Sequence, residues 1–194
     1  MKKSHYVSGL VAGVCLLAGA VTTSALAFDL VPYQATGWSY LQVGHGDPVE
    51  SVFMEPAFDD ASWAVGQAAF GWVGYNCPLE FTVHTLWAFD TDMLLRRWFY
   101  ADPGSPLVIH FGIDNDAKVW VNGVLVADAV HEGCAALDGW NILVPAGVLA
   151  YGGNLVAVEA VDRGATAFID LRIEGEMPVP TAPTTWGKIK SHYR

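Results

Sequence analysis

Between residues 38 and 173 the apolar positions fall in short runs, broken by Gly, Pro, Asp or Asn, and several runs alternate with polar residues at a period of two. The runs are 38–43, 81–85, 93–100, 107–113, 118–121, 124–126, 140–144, 155–161 and 167–173. Each is rich in β-branched or aromatic residues, which suit a pleated, half-buried surface. The alternation is cleanest at Val119 and Val121 and at Leu155 and Ala157. Asn122-Gly123 joins two runs, and both residues tolerate the positive φ of a type I′ turn, so 118–126 is predicted to be a hairpin. No long amphipathic helical pattern intervenes. At most, Val148-Leu149-Ala150 makes one helical turn before Gly152-Gly153. Many short strands without helices predict an all-β antiparallel sandwich or jelly roll.

The two ends of the chain break this pattern. Lys2 and Lys3 precede an apolar stretch over 7–21, and Ala25-Leu26-Ala27 is a small-x-small cleavage site. Residues 1–27 therefore read as an export signal with Phe28 as the mature N-terminus, and the apolar run is short for a membrane span. Cys15 sits mid-run after Ala12-Gly13-Val14, which is no lipobox. After Gly175 the composition changes, and 176–185 holds Pro178, Pro180 and Pro183, an extended linker. Residues 186–194 form a basic-aromatic tail, with Trp186, Ile189 and Tyr193 on one face if helical. The tail is read as a sorting, attachment or docking segment, or as a tail without a role. The domain proper is expected over 28–175, exported to the periplasm, the medium or the cell surface, with no transmembrane segment after cleavage.

Charge narrows the partners. The formal net charge is −10, and cleavage would remove two further cations. Before residue 176 the remaining cations are Arg96, Arg97, Lys118, Arg163 and Arg172. Such a surface repels phosphate backbones, so nucleic acid is excluded as a partner. Cys77 and Cys134 remain after the signal, and an even pair in an exported protein reads as a disulfide. In the chain-entropy model a loop of this length is worth about 4 kcal/mol. The alternative is two buried free thiols; a zinc site is excluded by the spacing.

Catalytic patterns are missing. His131-Glu132-Gly133-Cys134 lacks the second histidine of a zinc-protease motif, and no Gly-x-Ser-x-Gly elbow occurs. Histidines 45, 84, 110 and 131 show no metal-ligand spacing. The carboxylate pairs Asp59/Asp60, Asp90/Asp92 and Asp114/Asp116 lie at strand ends, where Asp caps turns through the backbone. A glycosidase would need two of them facing across a cleft. The chain is read as no enzyme.

Several segments carry a resemblance. Phe58-Asp59-Asp60-Ala61-Ser62-Trp63, Thr85-Leu86-Trp87, Leu95-Arg96-Arg97-Trp98-Phe99, Asp114-Asn115-Asp116-Ala117-Lys118-Val119-Trp120-Val121-Asn122-Gly123 and Gly153-Asn154-Leu155-Val156-Ala157-Val158 occur in this order, followed by Asp162-Arg163-Gly164 and Phe168-Ile169-Asp170-Leu171. Together they resemble the galactose-binding-like superfamily, the sugar-binding jelly roll found beside many glycoside hydrolases. The resemblance covers most of 36–175 and implies a non-catalytic binding module with a glycan or another cell-envelope component as partner. A structural or adhesion protein of the envelope, with no small ligand, is the alternative. The resemblance also implies a structural Ca²⁺, for which Asp59, Asp60 and Asp170 are the candidates by position; turn capping and solubility are the competing roles. Trp63, Trp98 and Trp120 lie in the signature strands and turns and are expected in the core. Trp72, Tyr75 and Trp140, in loop-like surroundings, are the candidate stacking platform, and Arg163 the candidate partner for a hydroxyl or carboxylate.

Overall fold

The computed structural model describes residues 27–72, 79, 82–145 and 147–176. The proposed signal, Tyr75, Cys77, the linker and the tail lie outside the described residues. Twelve strands are described: β1 (Ala27–Val31), β2 (Thr36–Val43), β3 (Ala64–Gln67), β4 (Phe70–Trp72), β5 (Thr85–Leu86), β6 (Asp92–Ala101), β7 (Leu107–Asp114), β8 (Asp116–Val121), β9 (Val124–Ala129), β10 (Trp140–Leu143), β11 (Gly152–Val161) and β12 (Ala167–Glu176). They form two sheets, ordered β10-β7-β12-β4-β5, with β1 also on β12, and β3-β2-β6-β11-β8-β9. Every pairing is antiparallel except β4 with β5. The protein is an all-β sandwich, as the runs of apolar residues predict.

Strand alternation builds the core. Ile109, Phe111 and Ile113 of β7 and Ile169, Leu171 and Ile173 of β12 face Met93 and Leu95 of β6 and Val156, Val158 and Ala160 of β11 in one buried cluster. At Asn122 and Gly123 φ is 50° and 80°, and they turn β8 into β9 as the Asn-Gly pair requires. Three short strands carry no clear pattern in the sequence: β1, β3 and β4. Val148-Leu149-Ala150 is not helical; the described helix is a 3-10 turn over Pro48–Ser51, capped by Asp47.

The connection between β2 and β3 lies across the outer face of the second sheet. Its Phe53 is fully buried with Leu94, Trp120 and Ala157, and Val49, Met54, Phe58 and Trp63 pack around them. Arg96, pointing outward from β6, pins this flap from beneath. It donates to the carbonyls of Phe53, Glu55 and Phe58 and to Asp60 Oδ2 at 3.0 Å. A buried guanidinium survives only with such complete pairing. The flap stops short of the last two outward residues of β6, so Trp98 is 51% exposed, against the expectation of a core position. Trp120 is buried, as expected, and Trp63 is half-buried against the same cluster rather than within it. Cys134 is disulfide-bonded.

Candidate functional site

The two ends of the sandwich differ in chemistry. One end gathers the last residues of β2, β4, β7 and β11 and the first of β6, β8 and β12. The other lies at the opposite tips of β6 and β11, roughly 30 Å away along ten-residue strands.

The first end holds most of the residues that the sequence singles out. Trp72 closes β4, is 42% exposed, and meets the exposed Phe89 edge-on with ring centroids 6.4 Å apart. Trp140 is stacked on Phe111 at 5.7 Å and touched edge-on by His131 at 5.3 Å, so its ring serves packing. Arg163 reaches Asp116 at 3.0 Å, Glu132 at 2.6 Å and the His131 carbonyl at 3.2 Å, so its donors are taken. Trp140 and Arg163 both meet His131, while Trp72 meets Phe89.

Carboxylates crowd this end. Burial, then the Asp162 charge, pushes Asp114 up to about 6. Burial likewise pushes Asp92 up to about 6, against the His45 hydrogen bond that lowers it. Asp162, fully buried, is also raised, first by burial, though the Asp90 and Gly164 amides donate to it. His45 Nδ1 lies 2.8 Å from Asp92; burial lowers the imidazole, but Asp92 and Asp90 outweigh it and the net shift is upward. Asp162 Oδ1 is buried without a hydrogen-bond partner among the described residues.

A hard cation would want several oxygen ligands. Among the described residues, Glu50, Asp92 and Glu159 place carboxylate oxygens within 4.8 Å of one another and could hold one. Each is already engaged: Glu50 accepts from the Asp47 amide, Asp92 meets His45, and Glu159 pairs with Lys118 at 3.5 Å. A cation there would compete with Lys118 and His45. The three acids named from the sequence lie elsewhere. Asp59 caps the Ala61 amide, and Asp60 pairs with Arg96 under the flap. Asp170 is buried on the outer face of the other sheet, where it accepts from the Gln34 and Leu171 amides and is pushed by burial to about 7. The structure thus separates Asp170 from Asp59 and Asp60 by the thickness of the sandwich.

The second end is aromatic and open. A cavity of about 340 Å³ lies where β1, the β6–β7 turn and the start of β11 meet. Its walls are mostly apolar, from Phe28, Leu30, Pro106 and Leu107, with Tyr100 at the mouth and Asp102 and Ser105 as polar groups. Tyr100 is 77% exposed and Tyr151, beside Gly152 of the cavity wall, is 85% exposed. Trp98 shares the outward face of β6 with Tyr100, and its ring lies over Gly153, where an added Cβ would sit 3.6 Å from the indole.

Asn154 fixes this end. It is fully buried, and its Nδ2 donates to the Ala150 and Gly152 carbonyls at 3.1 Å and to that of Ala101 at 3.4 Å. Its Oδ1 accepts from the Ala150 amide and from Asn122 Nδ2, each at 2.8 Å. One carboxamide therefore ties the end of β6, the turn before β11 and the β8–β9 hairpin into a fixed rim. The sequence reading missed Trp98, Tyr100, Phe28 and Tyr151. The available signal was Arg96-x-Trp98-x-Tyr100, three large side chains on one strand face leading toward a Gly-Gly pair.

No protein-family model matches the chain, and no curated protein does by sequence. Solved structures do share its fold. Beta-glucuronidase 2 of Bacteroides uniformis, covalently bound to cyclophellitol-6-carboxylate aziridine, aligns over 78% of this chain with a TM-score of 0.54 and 14% identity. A glycosyl hydrolase family 2 member from Bacteroides cellulosilyticus aligns over 76%, with a TM-score of 0.50 and 20% identity. A beta-glucuronidase from an uncultured Clostridium sp. aligns over 82%, with a TM-score of 0.50 and 12% identity. The matched region spans only 18%, 20% and 30% of those chains respectively. At these identities the likeness is one of fold, the sandwich of a much larger enzyme.

Proposed function

We propose that this chain is an exported, non-catalytic carbohydrate-binding module whose site is the aromatic end of the sandwich. One observation carries the reading: the exposed rings of Trp98 and Tyr100 share a strand face that runs into an apolar cavity. Pyranose rings present a flat C–H face that stacks on such rings, while a few polar groups take the hydroxyls. Asp102 and Ser105 at the cavity fill that second role. The Asn154 network holds the rim in place before a ligand arrives, which lowers the ordering cost of binding. The cavity wall contains one carboxylate, Asp102, whereas glycoside hydrolysis ordinarily requires two across the bond. The shared fold with part of several glycoside hydrolases supports an accessory rather than a catalytic role.

The residue boundaries follow from this reading: a leader over 1–27, the module over 28–175, a linker over 176–185 and a tail over 186–194. Affinity electrophoresis of the full chain against a panel of soluble polysaccharides tests the function. Retardation on at least one, weakened about tenfold or more by Trp98→Ala, is expected. Unretarded migration of folded protein on every polysaccharide, or retardation indifferent to Trp98, would overturn it.

A further inference from the structure

Resting on the carbohydrate reading above, we infer that the aromatic end selects uncharged glycans and rejects acidic ones, with Asp102 as the selecting residue. The residues lining the cavity include no Lys, Arg or His, and Asp102 is their one charged member. The cations of the described chain are committed elsewhere. Arg96 is buried with Asp60, Lys118 faces Glu159, Arg163 holds Asp116 and Glu132, and Arg172 holds Asp29 and Glu174. Arg97 lies over the Trp38 ring and donates to the Thr36 carbonyl. A uronate or sulfate entering the cavity would shed water without meeting a cation, and would meet Asp102 instead. Placing an anion in an apolar wall without a partner is costly, and the net charge of −10 adds repulsion during approach.

Asp102 is also equipped to favour a neutral sugar. The turn that carries it is closed through the backbone, by the Ser105 amide donating to the Asp102 carbonyl at 3.1 Å. Its carboxylate has no hydrogen-bond or ion-pair partner among the described residues, unlike the interlocked acids at the other end. A carboxylate left in this state accepts two neighbouring hydroxyls through charge-assisted hydrogen bonds. The same group that captures a diol therefore repels a carboxylated ring.

The test compares the full chain with its Asp102→Asn, Asp102→Lys and Trp98→Ala variants at low salt. The neutral probes are arabinoxylan, galactomannan, mixed-linkage β-glucan and α-1,4-glucan; the acidic probes are polygalacturonate, alginate and hyaluronan. The wild type is expected to bind at least one neutral polysaccharide and no acidic one. D102K should weaken neutral binding and raise affinity for an acidic chain about tenfold, with D102N between them. Because residue 102 is an exposed turn position, these variants are expected to fold, which circular dichroism checks for each. Trp98-dependent binding of an acidic polysaccharide as tight as any neutral one overturns the selectivity while leaving the carbohydrate reading intact. An unchanged preference in D102K removes Asp102 from the role. Failure of the folded wild type to bind any probe overturns the carbohydrate reading, and the selectivity with it.

Discussion

The acidic end and the aromatic end of this sandwich are built from opposite tips of the same strands, yet only one leaves its chemistry available. At Asp92, Asp162 and Arg163 there are many charged groups, and most of them meet one another or backbone amides, with Asp162 Oδ1 buried and unpaired among the described residues. At Trp98, Tyr100 and Asp102 there are few groups, they face solvent, and the Asp102 carboxylate has no partner among the described residues. The density of polar residues is thus a poor guide to a site. What marks one is functional surface held rigidly but left unsatisfied, here by the buried Asn154 behind the exposed rings.

The largest expected effect breaks the rim of the aromatic end. Asn154→Ala leaves three carbonyls and two donors without partners and should cost about 3 kcal/mol in urea unfolding, with loss of glycan binding. A stability change under about 1 kcal/mol would show that the rim does not depend on this residue.

The acidic end should reveal itself through pH. Asp92 and Asp114 have folded values of about 6, and Asp170, on the outer face of the other sheet, about 7, all above the ordinary carboxylate range. Between about pH 4 and pH 7 the folded state therefore binds more protons than the unfolded chain, so stability falls as pH rises through this window. The raised His45 acts in the same direction at the upper end of the window. We expect the protein to be several kcal/mol more stable at pH 5 than at pH 7, by urea unfolding at both. A stability maximum near neutrality would contradict this assignment of the acids.

Two single substitutions sharpen the contrast further. Trp98→Ala should weaken glycan binding about tenfold, while Trp72→Ala, at the acidic end, should leave it within about twofold; calorimetry on the same polysaccharide reads both. The smallest effect belongs to Arg163→Ala. Its exposed ion pairs are screened by solvent, so the melting temperature should move by no more than about two degrees, with affinity unchanged.

The contrast also explains what the sequence could convey. Strands β6, β7, β8, β11 and β12 were legible because each is a run of apolar and β-branched residues bounded by turn residues, with β11 buried on both faces from Asn154 to Ala160. Strands β1, β3 and β4 are short and lie where few residues are buried on a regular face, so little periodicity survives. The turn chemistry of Asn122-Gly123 and the capping role of Asp59 were readable because both are local. Trp98 was not. Its own strand resembles a core strand, and Arg96, two residues earlier on the same face, is buried. Whether the next outward residue is covered depends on how far the β2–β3 flap reaches, a tertiary fact that no local pattern carries. The same limit applies to Arg163, whose partners come from two separate segments, Asp116 at the start of β8 and His131 and Glu132 beyond β9.

The Asn122-Gly123 turn has a consequence for chemical ageing. An Asn-Gly pair in a mobile chain is prone to deamidation, because the following amide nitrogen can attack the side-chain carbonyl carbon and close a succinimide. Here Asn122 Nδ2 donates to the Val148 carbonyl and to Asn154, and Asn122 Oδ1 accepts from the Leu155 amide at 2.9 Å. Both ends of the carboxamide are held, so it must break three hydrogen bonds before it can swing toward Gly123. Deamidation at this position should therefore follow unfolding rather than storage time, and peptide mass spectrometry after incubation at and below the melting temperature would register the difference. The hairpin would be kept for as long as the chain stays folded.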